Sequence, residues 1–504
     1  MLTKGDSENP NYRSRFVAME FNTAKMDGLF ASTPPLEALK LIISDAATSS
    51  KEEQYEKIIM VNDVARAFFE APATRQIAVE LPPEDTEDGE DMVGLLLQSL
   101  YGTRDAARNF QNEVKKFLTG VGFEQGRYNT STYLHRDRGI KLLVHGDDFV
   151  SQGGRMQVKW LHGKINDRFE IKTTMIGHGD GEQPEGRVLN RTIRATKNGW
   201  EFEADQRHAE VIVNSLNLQE SKPVATPGEH RPWEEEEKLG NEILEEARAT
   251  EYRAVGARGN YLSQDRPDLQ YAVKEICRSM SKPSVADRRK LKRLGRYLKG
   301  RPRLVLLYPW SVGEGVLGAY SDSDWAGCRR TARSTSGGAI FYGVHLLKSW
   351  SATQKNITLS SAEAELVAAV KATTEALGIA QLSYDWGIEL AVKVYIDSSA
   401  AIGIASRKGS GKMRHVRVGD LWIQELVEEE EIELRKVPGT RNPADAFTKN
   451  LPQKVMEEHL ETMGAEFRDG RADTSLEVQR NAMILLRKPF FKRSTYFGTD
   501  KRIS

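Results

Sequence analysis

The stretch KLLVHGDDFVSQG, from Lys141 to Gly153, has two short apolar runs joined by a turn with two adjacent aspartates, Asp147 and Asp148. The pattern predicts a β-hairpin with both carboxylates at its tip. Another apolar run, IIMVND, ends in Asp63. If both runs are strands of one sheet, the three carboxylates come together. A pair of aspartates in a turn is more often only a solvated turn, so their position after apolar strands is what favours a site.

Carboxylates gathered at one place repel one another, and each raises the pKa of the others unless a cation is bound. Mg²⁺ prefers hard oxygen ligands, and polymerase sites hold it with one or two carboxylates together with substrate phosphates. Two such ions stabilise the attacking 3′-oxygen and the leaving pyrophosphate of an in-line displacement. The aspartates therefore predict a two-metal site for phosphoryl transfer.

The composition excludes several other classes of protein. The chain has 504 residues, which is enough for roughly three domains of ordinary size. Its 72 basic and 72 acidic side chains balance, so any positive charge that binds nucleic acid must be local. Two isolated cysteines, Cys277 and Cys328, exclude a disulfide framework or a cysteine-based zinc site and suit a reducing compartment. There is no signal-peptide pattern and the apolar runs are too short to span a bilayer, so we expect a soluble intracellular protein.

Shifts in composition and periodicity divide the chain into five parts. Alternating strands and helices predict an α+β domain, which is followed by an acidic linker, a helical basic connecting segment, an α/β domain and a partly ordered basic tail. The corresponding ranges are 1–222, 223–250, 251–310, 311–455 and 456–504.

The connecting segment contains the basic run DRRKLKRLGRYLKGRPR. Leu291, Leu294 and Leu298 form an apolar stripe at helical spacing, and arginines and lysines crowd the remaining surface. A face of this kind can lie on a phosphate backbone without reading its sequence. The alternative is a merely solvated helix face, which usually mixes in more acidic residues.

Several motifs resemble the Pol polyprotein of copia-type LTR retrotransposons, in which reverse transcriptase is followed by RNase H. They are, in chain order, YRSRFVAMEF, similar to the fingers motif, DVARAFFEAP, similar to the first catalytic motif, LLLQSLYGTRDAARNF, similar to the SLYG motif, and VHGDDFV, similar to the DD hairpin. KPVATP, YRAVGARGNYLSQDRPDLQYAV and LKRLGRYLKG are similar to the segment after the polymerase. Order and spacing agree from about Tyr12 to about Pro452.

The resemblance implies that 1–222 is a reverse transcriptase domain with partial fingers, palm and the start of a thumb. Asp63 and Asp147 are then metal ligands, Asp148 is a third carboxylate, and the backbone carbonyl of Val64 is a further ligand.

Three side chains and one glycine are implied to contact the incoming nucleotide. Phe68 matches a bulky aromatic residue beneath the sugar, which implies deoxynucleotide substrates, although an ordinary core Phe is an equally good interpretation. Arg15 matches a fingers residue that approaches the triphosphate, and without the resemblance it is a surface side chain by default. Tyr101 and Gly102 are implied to line the pocket.

The chain departs from the family at four other positions within these motifs. His145 and Gly146 stand where the family usually has Tyr and an apolar residue, and a glycine makes a tight hairpin turn without strain. Asp105 and Ala107 replace the usual Gln and Pro, which predicts an unexpected negative charge near the nucleotide pocket.

A second set of acidic residues resembles the four carboxylates of RNase H, and this implies that 311–455 is an RNase H-like domain. Asp322 and Asp397 are expected to end strands, Glu365 to lie in the first turns of a helix, and Asp445 to begin another helix. Such a group is strongly destabilising without cations, and its implied function is to hold two Mg²⁺ that activate water against an RNA phosphodiester.

Five neighbouring side chains have ordinary structural explanations, which we prefer. Asp324 is expected to be a turn residue and Glu363 a helix cap. His415 matches a family histidine, but a lone histidine is more often structural than catalytic. Trp325 and Trp350 are expected in the core.

The resemblance implies an RNA-directed DNA polymerase with RNase H activity and an α+β palm and fingers, with the fingers incomplete, a helical connecting segment and an α/β RNase H-like domain. It implies two Mg²⁺ at each site, with Mn²⁺ as a substitute. The partners implied are an RNA template, a DNA primer, an RNA–DNA hybrid and dNTPs, with no membrane, and association with other retrotransposon proteins or with itself. The location implied is a cytoplasmic virus-like particle or the nucleus. Because the upstream fingers look missing, two alternatives stay open, a catalytically impaired nucleic-acid-binding remnant and RNase H activity alone.

Overall fold

The structure is a computed structural model, and it describes residues 2–5, 10–13, 17–21, 25–50, 53–81, 93–230, 242–328, 330–411 and 414–476. No helix within these ranges has the length and apolar character needed to cross a bilayer.

The first part of the chain is built on an antiparallel sheet. The elements up to its last strand are β1 (Leu2–Gly5), β2 (Pro10–Arg13), α1 (Leu36–Ala47), β3 (Lys57–Val64), β4 (Ala78–Glu80), β5 (Val93–Leu95), α2 (Ala106–Gly120), β6 (Glu124–Gln125), β7 (Thr132–His135), β8 (Ile140–His145), β9 (Asp148–Gly154), α3 (Arg155–Arg168) and β10 (Ile171–Ile176). Six of these strands pair in the order β10-β3-β9-β8-β7-β6, and we call this the palm sheet.

Alternation along β3 explains how both faces of the palm sheet are covered. Ile58 and Met60 belong to a core with Phe110, Val114 and Leu118 of helix α2. The intervening β3 residues at 59 and 61 belong instead to a second core, which contains helix α1. Period-two alternation therefore places two helical layers on opposite faces of one sheet.

A second antiparallel sheet follows, and it corrects two expectations. Its strands β11 (Glu185–Val188), β12 (Arg191–Thr196), β13 (Gly199–Glu203), β14 (Arg303–Pro309) and β20 (Ala465–Arg468) pair in that order. The connecting segment is therefore not wholly helical, because the apolar run inside β14 pairs with β13. The expected tail supplies the edge strand β20, which the two hydrogen bonds of 2.7 Å from Arg468 to Glu201 hold in place.

Helices surround this second sheet. They are α4 (Arg207–Ser215), α5 (Glu246–Ser263), α6 (Gln270–Cys277) and α7 (Val285–Gly300). The predicted apolar stripe of α7 is buried, since Leu291, Leu294 and Leu298 are each at most 1% exposed.

The last domain is a mixed sheet with helices. Its elements are β15 (Val316–Cys328), β16 (Arg333–Tyr342), β17 (His345–Thr353), α8 (Ser361–Asp385), β18 (Ala391–Ile396), α9 (Ser399–Ala405), α10 (Trp422–Glu428) and β19 (Ile432–Lys436), and α11 (Gln453–Thr462) precedes β20. The strand order is β17-β16-β15-β18-β19, with β15 antiparallel to β16 and parallel to β18. The coarse fold class, an α+β polymerase domain joined to an α/β RNase H-like domain, is confirmed.

The RNase H-like domain packs directly against the palm. The Asp385 carboxylate, at the end of α8, accepts backbone N–H bonds of 2.8 Å from Arg127 and 2.7 Å from Asn129. Helix α1 lies between the domains, where Ser44 Oγ is 2.8 Å from His345 Nδ1. From Ala38 onward, the apolar side chains of α1 are at most 1% exposed, so this part of the helix is buried on nearly every side.

Two candidate active sites

The hairpin between β8 and β9 joins the end of β3. His145 pairs with Asp148 across the hairpin, which leaves Gly146 and Asp147 as a two-residue turn. Gly146 has φ +63°, a conformation that favours glycine at the first central position of such a turn. The backbone N–H of Val64 donates to the carbonyl oxygen of Asp147 at 3.0 Å. The end of β3 and the hairpin tip are therefore fixed to each other.

The same pairing brings two of the predicted aspartates, Asp63 and Asp148, together next to the turn that contains Asp147. Asp63 stands directly opposite Asp148 in the antiparallel pair of β3 and β9, so both side chains point to one face. Burial, and then Asp147 and Asp63, raise the pKa of Asp148 to about 6. Lys172 of β10 lies opposite Asp63 on its other side and is exposed. The sequence gives no signal for Lys172, because its position depends on strand register.

Two of the predicted nucleotide-contacting residues, Phe68 and Tyr101, lie against each other. The ring of Phe68, in the 3₁₀ turn Ala67–Glu70, is half-buried and has its centroid 4.6 Å from that of Tyr101. Gly102 has φ +93°, and a β-carbon there would collide with the carbonyl oxygen of Ala18. Val64 is 2% exposed. Arg15 lies outside the described residues.

The unexpected charge of Asp105 is neutralised. Its carboxylate is 1% exposed and receives hydrogen bonds of 3.0 Å and 2.8 Å from Arg75, which also binds Glu20 through two nitrogens. The hydrogen bond from Arg75 lowers the pKa of Asp105 to about 2. The negative charge of Asp105 is therefore present but paired, because Arg75, which lies thirty residues away in sequence, binds it.

The RNase H-like domain brings three of its four predicted carboxylates into one group. Ligand atoms of Asp322, Glu365 and Asp397 all lie within 4.8 Å of one another, and we call these residues the carboxylate trio. Over the described ranges, no other group of three or more acidic, histidine or cysteine side chains meets that spacing. Asp397 directly follows β18, as expected, and Glu365 lies in the first turns of α8. Asp322 lies inside the long strand β15 instead of ending it.

Two members of the trio are buried, which disfavours their charged forms. Asp322 is 6% and Glu365 8% exposed. Burial, together with Asp445 and Asp397, raises the pKa of Asp322 to about 6 against an opposing hydrogen bond from Thr448. Burial, and then Asp322 and Asp397, raise the pKa of Glu365 to about 8. Glu365 Oε2 is buried without a hydrogen-bond partner. Hard carboxylate oxygens, one of them unpaired, fit a divalent cation.

Asp445 stands apart from the trio. It lies in the 3₁₀ turn Pro443–Phe447, and its Oδ1 pairs with Lys449 Nζ one helical turn later. Its Oδ2 is 4.0 Å from His459 Nε2. The four-carboxylate prediction therefore has three members assembled and one held by a lysine. The spacing of four residues between Asp445 and Lys449 is a signal that sequence reasoning missed.

Two hydroxyl groups bind trio members. The backbone N–H of Ser323 donates to Glu365 Oε1 at 3.1 Å, and Ser323 Oγ donates to the same oxygen at 2.9 Å. Thr448 Oγ1 donates to Asp322 Oδ2. Neither Ser323 nor Thr448 was predicted, because each is an ordinary residue until the fold places it beside a carboxylate.

The neighbouring side chains show how far their structural explanations hold. Glu363 accepts the Leu359 N–H at 2.7 Å and lies 3.1 Å from His415 Nε2, so it caps the start of α8 as predicted. Trp350 is 9% exposed, as expected for a core residue. Trp325 is 49% exposed, so its placement in the core is wrong. It follows Asp324, after which the pairing register of β15 shifts.

The basic face of α7 is largely engaged within the chain. Arg293 pairs with Glu229 at 2.7 Å, and Arg288 pairs with Glu251 at 3.4 Å. Arg296 and Lys299 each donate to a backbone carbonyl of residues 221–222 at 2.7 Å. Four basic side chains of this face are therefore engaged within the chain, because helix α7 packs against α5 and against the segment that follows α4. Contact of the remaining basic side chains with phosphates stays a prediction.

Comparison with known proteins agrees with this architecture. Residues 2–229 match the family model described as reverse transcriptase (RNA-dependent DNA polymerase). The chain is 27% identical over 475 residues to the retrovirus-related Pol polyprotein from transposon TNT 1-94 of Nicotiana tabacum, covering 91% of this chain and 34% of that protein. It is 27% identical over 477 residues to the polyprotein from transposon RE2 of Arabidopsis thaliana, covering 91% of this chain and 31% of that protein. The chain thus spans about a third of the length of these relatives.

A solved structure is similar at lower identity. It is a foamy viral protease-reverse transcriptase in complex with RNA/DNA hybrid. The match covers 89% of this chain and 49% of the foamy viral chain, at 12% identity and with a TM-score of 0.49.

Proposed function

The chain belongs to the copia-type retrotransposon Pol polyproteins, and on that premise we propose that it is an RNA-directed DNA polymerase joined to an RNase H. The observation that carries the proposal is the presence of two separate carboxylate groups, one at the palm hairpin and one in the RNase H-like sheet. The family match supports the first activity, and the buried trio supports the second.

At the palm, Asp63 and Asp147 are the proposed ligands of Mg²⁺, with the Val64 carbonyl as a further ligand and Asp148 as the third carboxylate. Tyr101 and Gly102 line the proposed dNTP pocket. Phe68 stands beneath the sugar in this proposal, where its ring excludes a 2′-hydroxyl, and Arg15 is the proposed triphosphate contact.

At the second site, Asp322, Glu365 and Asp397 are the proposed ligands, with Asp445 as the fourth once Lys449 releases it. Divalent cations, when bound, activate the attacking oxygen and stabilise the leaving oxygen. Mn²⁺ is expected to replace Mg²⁺, because both accept carboxylate oxygens. The chain's own residues supply the negatively charged carboxylates and the hydrogen bonds that orient these carboxylates.

The proposed substrates are an RNA template, a DNA primer, dNTPs and an RNA–DNA hybrid. Other retrotransposon proteins or a second copy are proposed partners. A cytoplasmic virus-like particle or the nucleus is the proposed location.

Two assays on the full chain test the proposal. Primer extension with dNTPs and Mg²⁺ compares the wild type with Asp147→Asn, and cleavage of an RNA–DNA hybrid compares it with Asp397→Asn. Each variant is expected to lose one activity and keep the other. Asp137→Asn is the matched control, because this aspartate is exposed in the turn at the far end of β8. A wild type that neither extends nor cleaves overturns the proposal, as does a variant that keeps the activity it should lose.

RNase H activity alone is the second candidate, and one observation favours it. Among the described residues the trio meets the spacing of a cation site, whereas the palm aspartates do not meet it in the same structure. Hybrid cleavage without primer extension by the wild type selects this candidate. Binding of hybrid without either reaction selects the impaired remnant.

A further inference from the structure

We infer that Ser323 and Thr448 are positioning residues of the RNase H-like site. Each hydroxyl binds one oxygen of a buried trio carboxylate and leaves the other oxygen for the cation. The inference rests on the proposed RNase H function and adds two residues to it.

Ser323 fixes the orientation of Glu365. Its backbone N–H and its hydroxyl both donate to Oε1, at 3.1 Å and 2.9 Å. The other oxygen, Oε2, is buried and has no partner. Two donors on one oxygen set the plane of the carboxylate, so the direction of the unpaired oxygen is fixed before any ion arrives.

Thr448 does the same for Asp322. Thr448 is fully buried, and its hydroxyl donates to Asp322 Oδ2. The hydroxyl is also 3.1 Å from the Asp445 carbonyl oxygen, but it has one hydrogen and the carboxylate is the stronger acceptor. Asn442 Nδ2, just before the Pro443–Phe447 turn, donates to the Ser321 carbonyl at 2.8 Å. The turn is therefore attached to β15 immediately beside Asp322.

These two hydroxyls differ from the ordinary buried hydroxyls of the same domain. Thr373, also fully buried on α8, donates to the Ala369 carbonyl at 2.9 Å, a bond that threonine commonly makes inside helices. Ser323 and Thr448 bind carboxylates that face one another across the proposed cation site. Partners of this kind orient metal ligands, and their loss typically lowers metal affinity or activity about 10-fold to 100-fold.

The test measures cation affinity of the full chain without nucleic acid, by calorimetric titration with Mn²⁺. Thr448→Val is expected to weaken the trio-dependent affinity by about 10-fold to 100-fold. Ser323→Ala is expected to weaken it by about 10-fold, since the backbone N–H remains. Thr448→Ser and Ser323→Thr keep the hydroxyl and are expected to restore affinity to near the wild-type value. Thr373→Val is the matched control, because it removes a buried hydroxyl that binds no carboxylate.

The possible outcomes distinguish a failure of this inference from a failure of the proposed RNase H function. If Glu365→Gln removes Mn²⁺ binding and the wild type cleaves hybrid, but Thr448→Val and Ser323→Ala bind Mn²⁺ as the wild type does, only the positioning role is overturned. If the wild type shows no trio-dependent Mn²⁺ binding and no hybrid cleavage, both the positioning role and the proposed RNase H function are overturned. If Thr448→Val does not fold, Ser323→Ala decides alone, because Ser323 is half-buried and makes its side-chain bond only to Glu365. Equal weakening by Thr373→Val also overturns the inference, since any buried hydroxyl then has the same effect.

Discussion

The palm hairpin and the RNase H-like trio are both groups of acidic side chains, but they differ in burial and in assembly. At the palm, Asp63 is exposed and the pKa of Asp148 is raised to about 6. In the trio, two carboxylates are buried and Glu365 reaches a pKa of about 8. Burying like charges is unfavourable without a cation. Under the proposed function, the trio is therefore the site already assembled for a cation, whereas the more open palm site would gain ligands from substrate phosphates.

The largest expected effect separates the two groups by activity. Glu365→Gln should lower hybrid cleavage on the order of 1000-fold, because a lost cation site removes several kcal/mol of transition-state stabilisation. Primer extension should not change. Asp63→Asn should give the reverse pattern in the same two assays. A variant that loses both activities while keeping its melting temperature would show that the two groups do not act separately.

The next effect is on stability as a function of pH. The folded pKa of Glu365 is raised from its ordinary value of 4.5 to about 8, so its protonated form is favoured in the folded chain. The contribution of Glu365 to the stability of the fold is fully present below about pH 4.5. It is lost as the pH rises to about 8. The metal-free wild type should lose about 5 kcal/mol across this window relative to Glu365→Gln.

Chemical denaturation of both proteins in chelator at several pH values measures this loss. When the wild type is compared with Asp148→Asn in the same series, we expect a smaller loss of stability, and at lower pH, because the pKa of Asp148 is about 6. Parallel pH curves for wild type and Glu365→Gln would contradict the raised pKa. Adding Mn²⁺ at high pH should restore the stability of the wild type and have no such effect on Glu365→Gln.

A smaller effect is expected at the hairpin tip. Gly146→Ala places a β-carbon at φ +63°, which costs about 1 to 2 kcal/mol. Primer extension should fall and hybrid cleavage should not. Gly154→Ala is the control, because Gly154, at the other end of β9, has φ −60° and open space around it. Equal losses in the two variants would mean that the turn conformation is not what matters.

The smallest effect concerns the lysine that holds Asp445. Lys449→Met should strengthen Mn²⁺ binding about twofold to fivefold, because it frees Asp445 from a partly exposed ion pair of modest strength. Lys454→Met, in an exposed pair with Glu458, should change nothing. Weaker Mn²⁺ binding in Lys449→Met would show that the lysine supports the site instead of competing with the cation.

The sequence predicts the elements of both sites better than their supporting contacts. Strand alternation and motif order place Asp63 beside the hairpin and Asp397 at the end of β18, because these features are local. Arg75, Lys172 and the two hydroxyl residues escape prediction, since each meets its carboxylate only through register or tertiary packing.

Long-range pairing explains the errors in the fold as well. Strand β20 pairs with β14 across more than 150 residues, and neither segment alone indicates its partner. The basic pattern of α7 predicted a free surface, but acidic and carbonyl partners from residues 221–251 occupy much of it. Local patterns therefore predict the elements, and the folded chain decides which charges stay free.

Titration with Mn²⁺ in the absence of nucleic acid tests most directly whether the trio, and not the group of palm aspartates, is the assembled cation site. We expect the strongest site to disappear in Glu365→Gln and in Asp322→Asn, and to persist unchanged in Asp63→Asn and Asp147→Asn. A strongest site that survives Glu365→Gln, or that is lost in Asp63→Asn, would contradict the assignment of the assembled cation site to the RNase H-like domain.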